Sequence, residues 1–478
     1  MKSTDQQKRK GISRRGFLGT ALAGVGISAT GAAGWMRAAP LFGQGREPQA
    51  GALSAAAGAP GTDQGSASST PARPRIREYR TLGRTGVKVS DVSFGAGNLK
   101  TAAVLAAALD AGINYVDTAE HYENGNSERA IGEVLKERDR KSVFLTTKLN
   151  FGINREISKE GLRNRFGKCL ERLQTDHADC LMIHMCTLAQ IKHEPYHELI
   201  RGLKAEGKVR FSGLSNHGAD YSLSGRLDDK CEDVVAAAAE DGRFDVVLCT
   251  FNFLKEEAGA KIFKACREKG MGVTLMKMNP ALTTEQDRRT IASIRERYKK
   301  SGREIPEATQ KIFKLTDDRA AAAEAFLKKH GLGEPEQIRG AAIKYCLSRP
   351  DVHCVCPSIN TFEDLDAYLP LSGGRFEASD AEMLADCREV YGDLSCRIGC
   401  GECEPACPRG VPVAAIMRYK YYFRNLGREK AAMTDYAALA GCDAGLCDGC
   451  DGPCEKACPH GVPIPGLLAL THELLTLG

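Results

Sequence analysis

The sequence predicts an α/β chain: a (β/α)8 TIM barrel with a small, mostly helical, cysteine-rich domain behind it. Two observations carry this expectation. Between Val92 and Ser358, eight short β-rich runs alternate with amphipathic helical stretches, the pattern of parallel strands joined by helical crossovers. Nine of the 19 cysteines then fall between Cys396 and Cys458.

In chain order, the N-terminus reads as a targeting segment. Lys2, Lys8, Arg9 and Lys10 give a basic start, Ser13-Arg14-Arg15-Gly16-Phe17-Leu18 is a twin-arginine pattern, and a Gly/Ala-rich, mildly apolar stretch runs to about Gly34. That stretch is too interrupted by glycine to predict a stable membrane span. Residues 1–33 are therefore expected to be a signal for the twin-arginine export machinery, which places the mature chain in the periplasm or otherwise outside the cytoplasm. The formal charge of the whole chain is +5, and residues 1–33 hold six basic side chains against Asp5. The rest is close to neutral, which gives no electrostatic case for nucleic acid or an anionic membrane. Residues 34–76 are mostly Gly, Ala, Ser, Pro and Gln and predict a flexible linker.

The barrel is expected over 77–372. Its strands are predicted at Val92–Phe94, Asn114–Thr118, Val143–Lys148, Asp179–His184, Val209–Asn216, Asp245–Asn252, Gly272–Met278 and Val352–Ser358. A hairpin over Tyr79–Val89 is expected to plug the floor. Polar residues stand at strand ends, where a barrel keeps its active site: Asp117, with Tyr122 just beyond it, then Lys148 and His184. An acid, a phenol, an amine and an imidazole on one rim can do acid–base work on a carbonyl. An ammonium beside the phenol is expected to lower its pKa, and a carboxylate keeps the ammonium charged. The segment Glu285–Leu332 is highly charged and predicts a solvated helical insertion.

Tyr79–Ser90, Asp117-Thr118-Ala119-x-x-Tyr122-x-Asn124-Gly125-x-Ser127-Glu128, Ile183-His184 and Gly213-Leu214-Ser215-Asn216 together resemble the aldo/keto reductase family, over about Arg77 to Leu371. The resemblance implies a catalytic tetrad: Tyr122 as proton donor, Lys148 as its pKa depressor, Asp117 as the partner of Lys148, and His184 orienting the substrate carbonyl. It implies hydride transfer between a nicotinamide nucleotide and a small carbonyl or alcohol. Ser215, Asn216, Phe251, Lys277 and Ser358 would hold the nucleotide, Phe251 by stacking on the nicotinamide ring. The chain departs from the family pattern in three places. Leu248 stands where a Gln is common, Met276–Ala281 has no glycines for a pyrophosphate turn, and Asp364 and Tyr368 replace residues that grip an adenosine phosphate. NADP, NAD and no nucleotide remain alternatives.

The tail, 373–478, carries Cys396, Cys400, Cys403, Cys407, Cys442, Cys447, Cys450, Cys454 and Cys458, and both runs close on Cys-Pro. Thiolates two or three residues apart suit one inorganic cluster, and a closing Cys-Pro is the habit of two-cluster ferredoxins, whose fourth ligand crosses to the other cluster. Zinc and disulfides are the rivals; zinc favours close pairs with a long gap between them, and nine is an odd number. The members of the family that this chain resembles most carry a ferredoxin-like extension. The expectation is two [4Fe–4S] clusters, one on Cys396, Cys400, Cys403 and Cys458, the other on Cys407, Cys447, Cys450 and Cys454. Cys442 is spare or replaces Cys447. Helices are predicted over Val413–Leu426 and Glu429–Ala440. The ten cysteines from Cys169 to Cys387 read as buried thiols.

Hydride carries two electrons and such a cluster normally passes one. The sequence therefore supports two functions: an exported oxidoreductase whose clusters exchange electrons with a redox partner protein, or an electron-transfer or binding protein that kept the barrel without nucleotide turnover.

Overall fold

The computed structural model describes residues 73–152, 155–222, 225–283, 285–439 and 441–476, all within one compact unit. The expected signal, 1–33, and most of the expected linker, 34–76, lie outside the described residues. The end of that linker is already fastened to the barrel: Arg73 pairs with Asp366 at 2.7 Å, and the Ile76 amide donates to the Ala111 carbonyl at 2.9 Å.

The barrel strands are Phe94–Gly95, Tyr115–Asp117, Phe144–Asn150, Ala178–His184, Val209–Asn216, Val246–Thr250, Gly272–Met276 and Cys354–Val355, parallel and paired in chain order. Parallel bridges Val92–Val355 and Gly95–Ser358 join the eighth strand to the first. A parallel sheet is covered on both faces, and Ala178–His184 is accordingly buried throughout. Its carboxylate, Asp179, is held by Arg140 at 2.9 Å and Arg210 at 2.8 Å. The strands Tyr79–Thr81 and Lys88–Ser90 form the expected hairpin, which adds Leu82 and Val89 to an interior core with Tyr115, Phe144, Met182 and Leu248.

The crossovers carry α1 (Ala102–Asp110), α2 (Asn126–Leu135), α3 (Lys159–Leu173), α4 (Glu194–Ala205), α5 (Cys231–Asp241) and α6 (Glu256–Lys269). Helix starts follow side-chain caps: Thr101 accepts from the Ala103 amide, Ser158 from that of Gly161. The long crossover before the eighth strand holds α7 (Glu285–Ser301), α8 (Glu307–Asp318), α9 (Ala320–His330) and α10 (Arg339–Leu347). After the strand come α11 (Phe362–Tyr368) and α12 (Ala378–Tyr391). The ten cysteines from Cys169 to Cys387 are all buried. No helix of the described residues is long and apolar enough to cross a membrane.

Two expectations are corrected here. The barrel body does not stop at 372, because α12 buries Leu384, Cys387 and Tyr391 in the same core as the barrel strands. The insertion is not simply solvated either. Ile291 and Ile294 of α7 and Ile312 and Phe313 of α8 share a core with the cysteine-rich segment. Their spacing marks one apolar stripe, which the surrounding charge obscured.

The cysteine-rich segment adds α13 (Val413–Asn425), α14 (Glu429–Ala437), α15 (Pro453–Lys456) and α16 (Ile464–Leu475). It docks on the barrel mouth through backbone as well as side chains. The Ala219 amide donates to the Gly399 carbonyl at 2.9 Å, and Gly218 and Gly399 both take positive φ. A Cβ on Gly399 would lie 1.8 Å from the His217 carbonyl oxygen, so only glycine permits this approach. The Lys255 ammonium donates to the Ile398 carbonyl at 3.1 Å. Helix α13 is pinned along its length. Arg418 pairs with Asp220, Lys420 reaches the buried Asp287 at 3.1 Å, and Arg424 donates to Thr290 at 2.7 Å.

Candidate active site

The parallel register aligns the second, third and fourth strands so that their C-terminal residues converge. Asp117 pairs with Thr146, Lys148 with Met182, and Asn150 with His184. The Lys148 ammonium, wholly buried, donates to Asp117 Oδ1 at 2.5 Å and to the Thr118 carbonyl at 2.7 Å. It also lies 5.1 Å from the centre of the Tyr122 ring. Tyr122 meets His184 edge-on at 5.6 Å between ring centres, and His121 stacks on His184 at 4.8 Å. The four residues named from the sequence thus share one mouth.

Backbone conformation at this rim is costly. Glu123, Asn124, Met185 and Lys277 all sit at φ between +49° and +57° without being glycine, a placement that costs of order 1 kcal/mol or more each. Three of the four directly follow Tyr122, His184 or a strand end, so the strain aims side chains of the site.

The electrostatics keep three distinct protonation states together. Burial opposes the charge on Lys148, but Asp117 and then Tyr122 outweigh it and hold the pKa above the ordinary lysine value. Burial lifts the Tyr122 phenol above its usual value, although Lys148 pulls it down. Lys148 thus acts in the expected direction, but desolvation outweighs it and the phenol stays a protonated donor. Burial, with His121, Lys148 and Lys277, pushes His184 well below 6.5. The imidazole is neutral, and its Nδ1 has no hydrogen-bond partner among the described residues. The arrangement offers a carbonyl oxygen a proton from Tyr122 and a hydrogen bond from His184.

Removing the ammonium tests how tightly these charges depend on one another. Lys148→Met leaves Asp117 buried without its cation, which typically costs about 3–5 kcal/mol. Chemical denaturation should show that loss, and a Lys148→Met/Asp117→Leu double variant should recover much of it.

The residues named for a nucleotide are not all at the mouth. Ser215 is buried, its hydroxyl accepting from the Met185 amide at 3.2 Å. The Asn216 carboxamide is engaged at both ends: Nδ2 donates to the Cys186 carbonyl at 2.8 Å, and Oδ1 accepts from the Gly218 amide at 2.6 Å. Ser358 bridges Gly95 where the barrel closes. Lys277 is at the rim, its ammonium 2.9 Å from His217 Nδ1 and 5.4 Å from the centre of the Tyr422 ring. Phe251 is a correction. Its ring packs between the sheet and the outer helices, 4.9 Å from Phe263 and 6.0 Å from Tyr345, so it cannot stack on a ligand in the mouth. Asp364 caps its own helix, accepting from the Asn360 amide at 3.0 Å, and Tyr368 lies under the Arg339 guanidinium at 5.0 Å. Sequence reasoning missed Arg418, Tyr422 and Arg428, because helix α13 gave no sign of reaching the barrel.

The thiols of the tail fall into two electrostatic neighbourhoods. Burial raises Cys396 to about 12, and Cys400 and Cys458 add to it. Cys403 is raised by burial and then by Cys396, with Cys458 among the further causes. Burial raises Cys447 to about 12, with Cys454, Cys407 and Cys450 next, and Cys454 to about 11, with Cys407 and Cys450 contributing. Cys407, Cys447, Cys450 and Cys454 also line one small hollow, walled by Pro408, Pro465 and Leu468. Cys403 also feels Cys454, so the two neighbourhoods adjoin. Among the described residues, no three His, Cys, Asp or Glu side chains approach closely enough to hold a single metal ion.

Comparison with known proteins agrees with the barrel. The family model for the aldo/keto reductase family matches residues 97–389. An L-galactose dehydrogenase of Arabidopsis thaliana is 30% identical over 227 residues, 44% of this chain and 68% of that protein. An uncharacterized oxidoreductase of Bacillus subtilis, YqkF, is 32% identical over 149 residues, 29% of this chain and 48% of that protein; the matches thus span about half to two thirds of these relatives. A solved aldo-keto reductase from Bacillus halodurans in its holo form is 21% identical, with a TM-score of 0.45, over 66% of this chain and 96% of that one. With the strand order, the closed ring and the match over residues 97–389, the chain belongs to the aldo/keto reductase family, a family of oxidoreductases.

Proposed function

We propose that this is an exported iron–sulfur oxidoreductase that interconverts a small carbonyl and its alcohol. Its nucleotide is NAD or NADP, and two [4Fe–4S] clusters pass electrons to or from a redox partner protein. The observation that carries the reading is the convergence of Asp117, Tyr122, Lys148 and His184 on one mouth with an ammonium, a neutral imidazole and a protonated phenol.

In the reducing direction the substrate oxygen sits between Tyr122 and His184. The neutral imidazole donates a hydrogen bond that orients the carbonyl, and the phenol gives up its proton as charge develops on the oxygen. Lys148 then stabilises the phenolate, and Asp117 holds the ammonium in place. A bound nicotinamide supplies the hydride. The thiol sets Cys396, Cys400, Cys403, Cys458 and Cys407, Cys447, Cys450, Cys454 would each hold one cluster, whose chemistry is one-electron transfer. The twin-arginine pattern at Ser13–Leu18 supports export to the periplasm.

A second reading is an electron-transfer or binding protein without nucleotide turnover. It is favoured by the engaged Asn216 carboxamide, the buried Phe251 ring and the self-capping Asp364. Anaerobic incubation of the full chain with NADH or NADPH and a panel of aldehydes, methylglyoxal included, separates the two. The enzyme reading expects carbonyl-dependent oxidation of one nucleotide; no oxidation with any of them favours the second.

A further inference from the structure

Three cations from two parts of the chain surround one aromatic ring at the barrel mouth. Lys277 Nζ is 5.4 Å from the centre of the Tyr422 ring, and the Arg418 and Arg428 guanidinium carbons are 5.9 Å and 5.6 Å away. Lys277 directly follows the seventh strand, whereas Arg418 and Tyr422 lie on α13 and Arg428 just beyond it. Their counter-charges are fewer. Asp220 pairs with Arg418, and the exposed Asp435 faces Arg418 and Arg428. The partners of Lys277 are a neutral imidazole, a thioether sulfur and the Tyr422 hydroxyl rather than a carboxylate.

Buried guanidinium nitrogens normally find acceptors. Arg418 is only 3% exposed, yet its Nε and Nη1 have no acceptor among the described residues, and neither does Arg428 Nε. Donors left in this state beside an ammonium are suited to receive an oxyanion. Their place is informative. The segment after the seventh strand, Met276–Ala281, has no glycine whose backbone amides could receive a diphosphate. The cradle stands at the start of that segment, and most of it comes from the cysteine-rich unit.

We propose that Lys277, Arg418 and Arg428 form a diphosphate site, with Tyr422 as its floor, and that α13 thereby supplies the grip on a dinucleotide that the barrel lacks. The identity of the ligand rests on the nucleotide reading above; the oxyanion site does not. In keeping with the geometry, Tyr422 is desolvated, yet Lys277, Arg418 and Arg428 more than offset that and hold its phenol below the usual tyrosine value. Because α13 is tied down at Lys420 and Arg424, a ligand gripped here is enclosed between the two parts of the chain and leaves slowly.

Calorimetric titration of the full, anaerobically purified chain with inorganic pyrophosphate, NADH and NADPH tests the site. Saturable binding of pyrophosphate and of one dinucleotide is expected. Lys277→Gln and Arg428→Gln should each weaken both by at least about tenfold, the usual effect of removing one charge-assisted hydrogen bond, and Arg428→Lys should restore part. Lys420→Gln, which loosens the same helix away from the cradle, should change affinity by no more than about twofold. Unchanged visible absorbance and circular dichroism would show that the variants fold. Pyrophosphate binding with this dependence but no dinucleotide binding would keep the oxyanion site, assign it to a phosphorylated substrate, and defeat the nucleotide reading. Absence of saturable pyrophosphate binding to the unaltered chain, or equal affinities in the Gln variants, would overturn the proposal.

Discussion

Tyr122→Phe should lower turnover of any carbonyl that the protein reduces by about a hundredfold to ten-thousandfold, the span usual for a lost general acid. The change removes one oxygen from a ring that otherwise keeps its contacts with Lys148 and His184. Thermal stability, absorbance and nucleotide affinity should therefore stay close to those of the unaltered chain, and kcat alone should fall. Steady-state kinetics beside an equilibrium binding curve makes that separation visible. A variant with full turnover would remove Tyr122 from the chemistry, and with it the reason for keeping Lys148 charged beneath the phenol.

The second large effect concerns the tail. On the proposed two-cluster reading, Cys458→Ser and Cys407→Ser should each cost one cluster, leaving about four of about eight irons per chain. The proposed crossed arrangement makes a sharper demand on pairs. Cys458 lies in the surroundings of Cys396, 62 residues earlier in the chain. A Cys396→Ser/Cys458→Ser double variant should then lose no more iron than either single one. If each run of cysteines held its own cluster, the same double variant would lose both. Iron analysis with electron paramagnetic resonance (EPR) of the reduced protein distinguishes these outcomes.

Much of this was legible in the residues. The alternation of strand and helix located all eight barrel strands, because parallel strands buried on both faces leave short apolar runs that stand out from amphipathic helices. The tetrad was legible because four reactive side-chain types recur at or just beyond successive strand ends, and the parallel register then brings Asp117, Lys148 and His184 to one rim. What could not be read were contacts between distant segments. Ile291, Ile294, Ile312 and Phe313 are apolar residues in a charged stretch, and nothing local says that α16 waits to cover them. Helix α16 was not predicted; it opens on Pro465, and proline is at home in a first helical turn. Phe251 misled for a similar reason. An aromatic residue just past a strand end faces either the mouth or the helix layer, and Phe263 and Tyr345 decide for the layer. The sign of the Tyr122 shift needed the degree of burial, which spacing does not give.

The proposed electron path would run from the barrel into the cysteine-rich unit, whose Gly399 and Ile398 carbonyls touch the loops that end the fifth and sixth strands. An anaerobic titration of the full chain with NADH and NADPH, followed by EPR, tests it most directly. The account predicts a reduced-cluster signal that grows with one of the two nucleotides. Clusters that stay oxidised with both, yet reduce with dithionite, would contradict it.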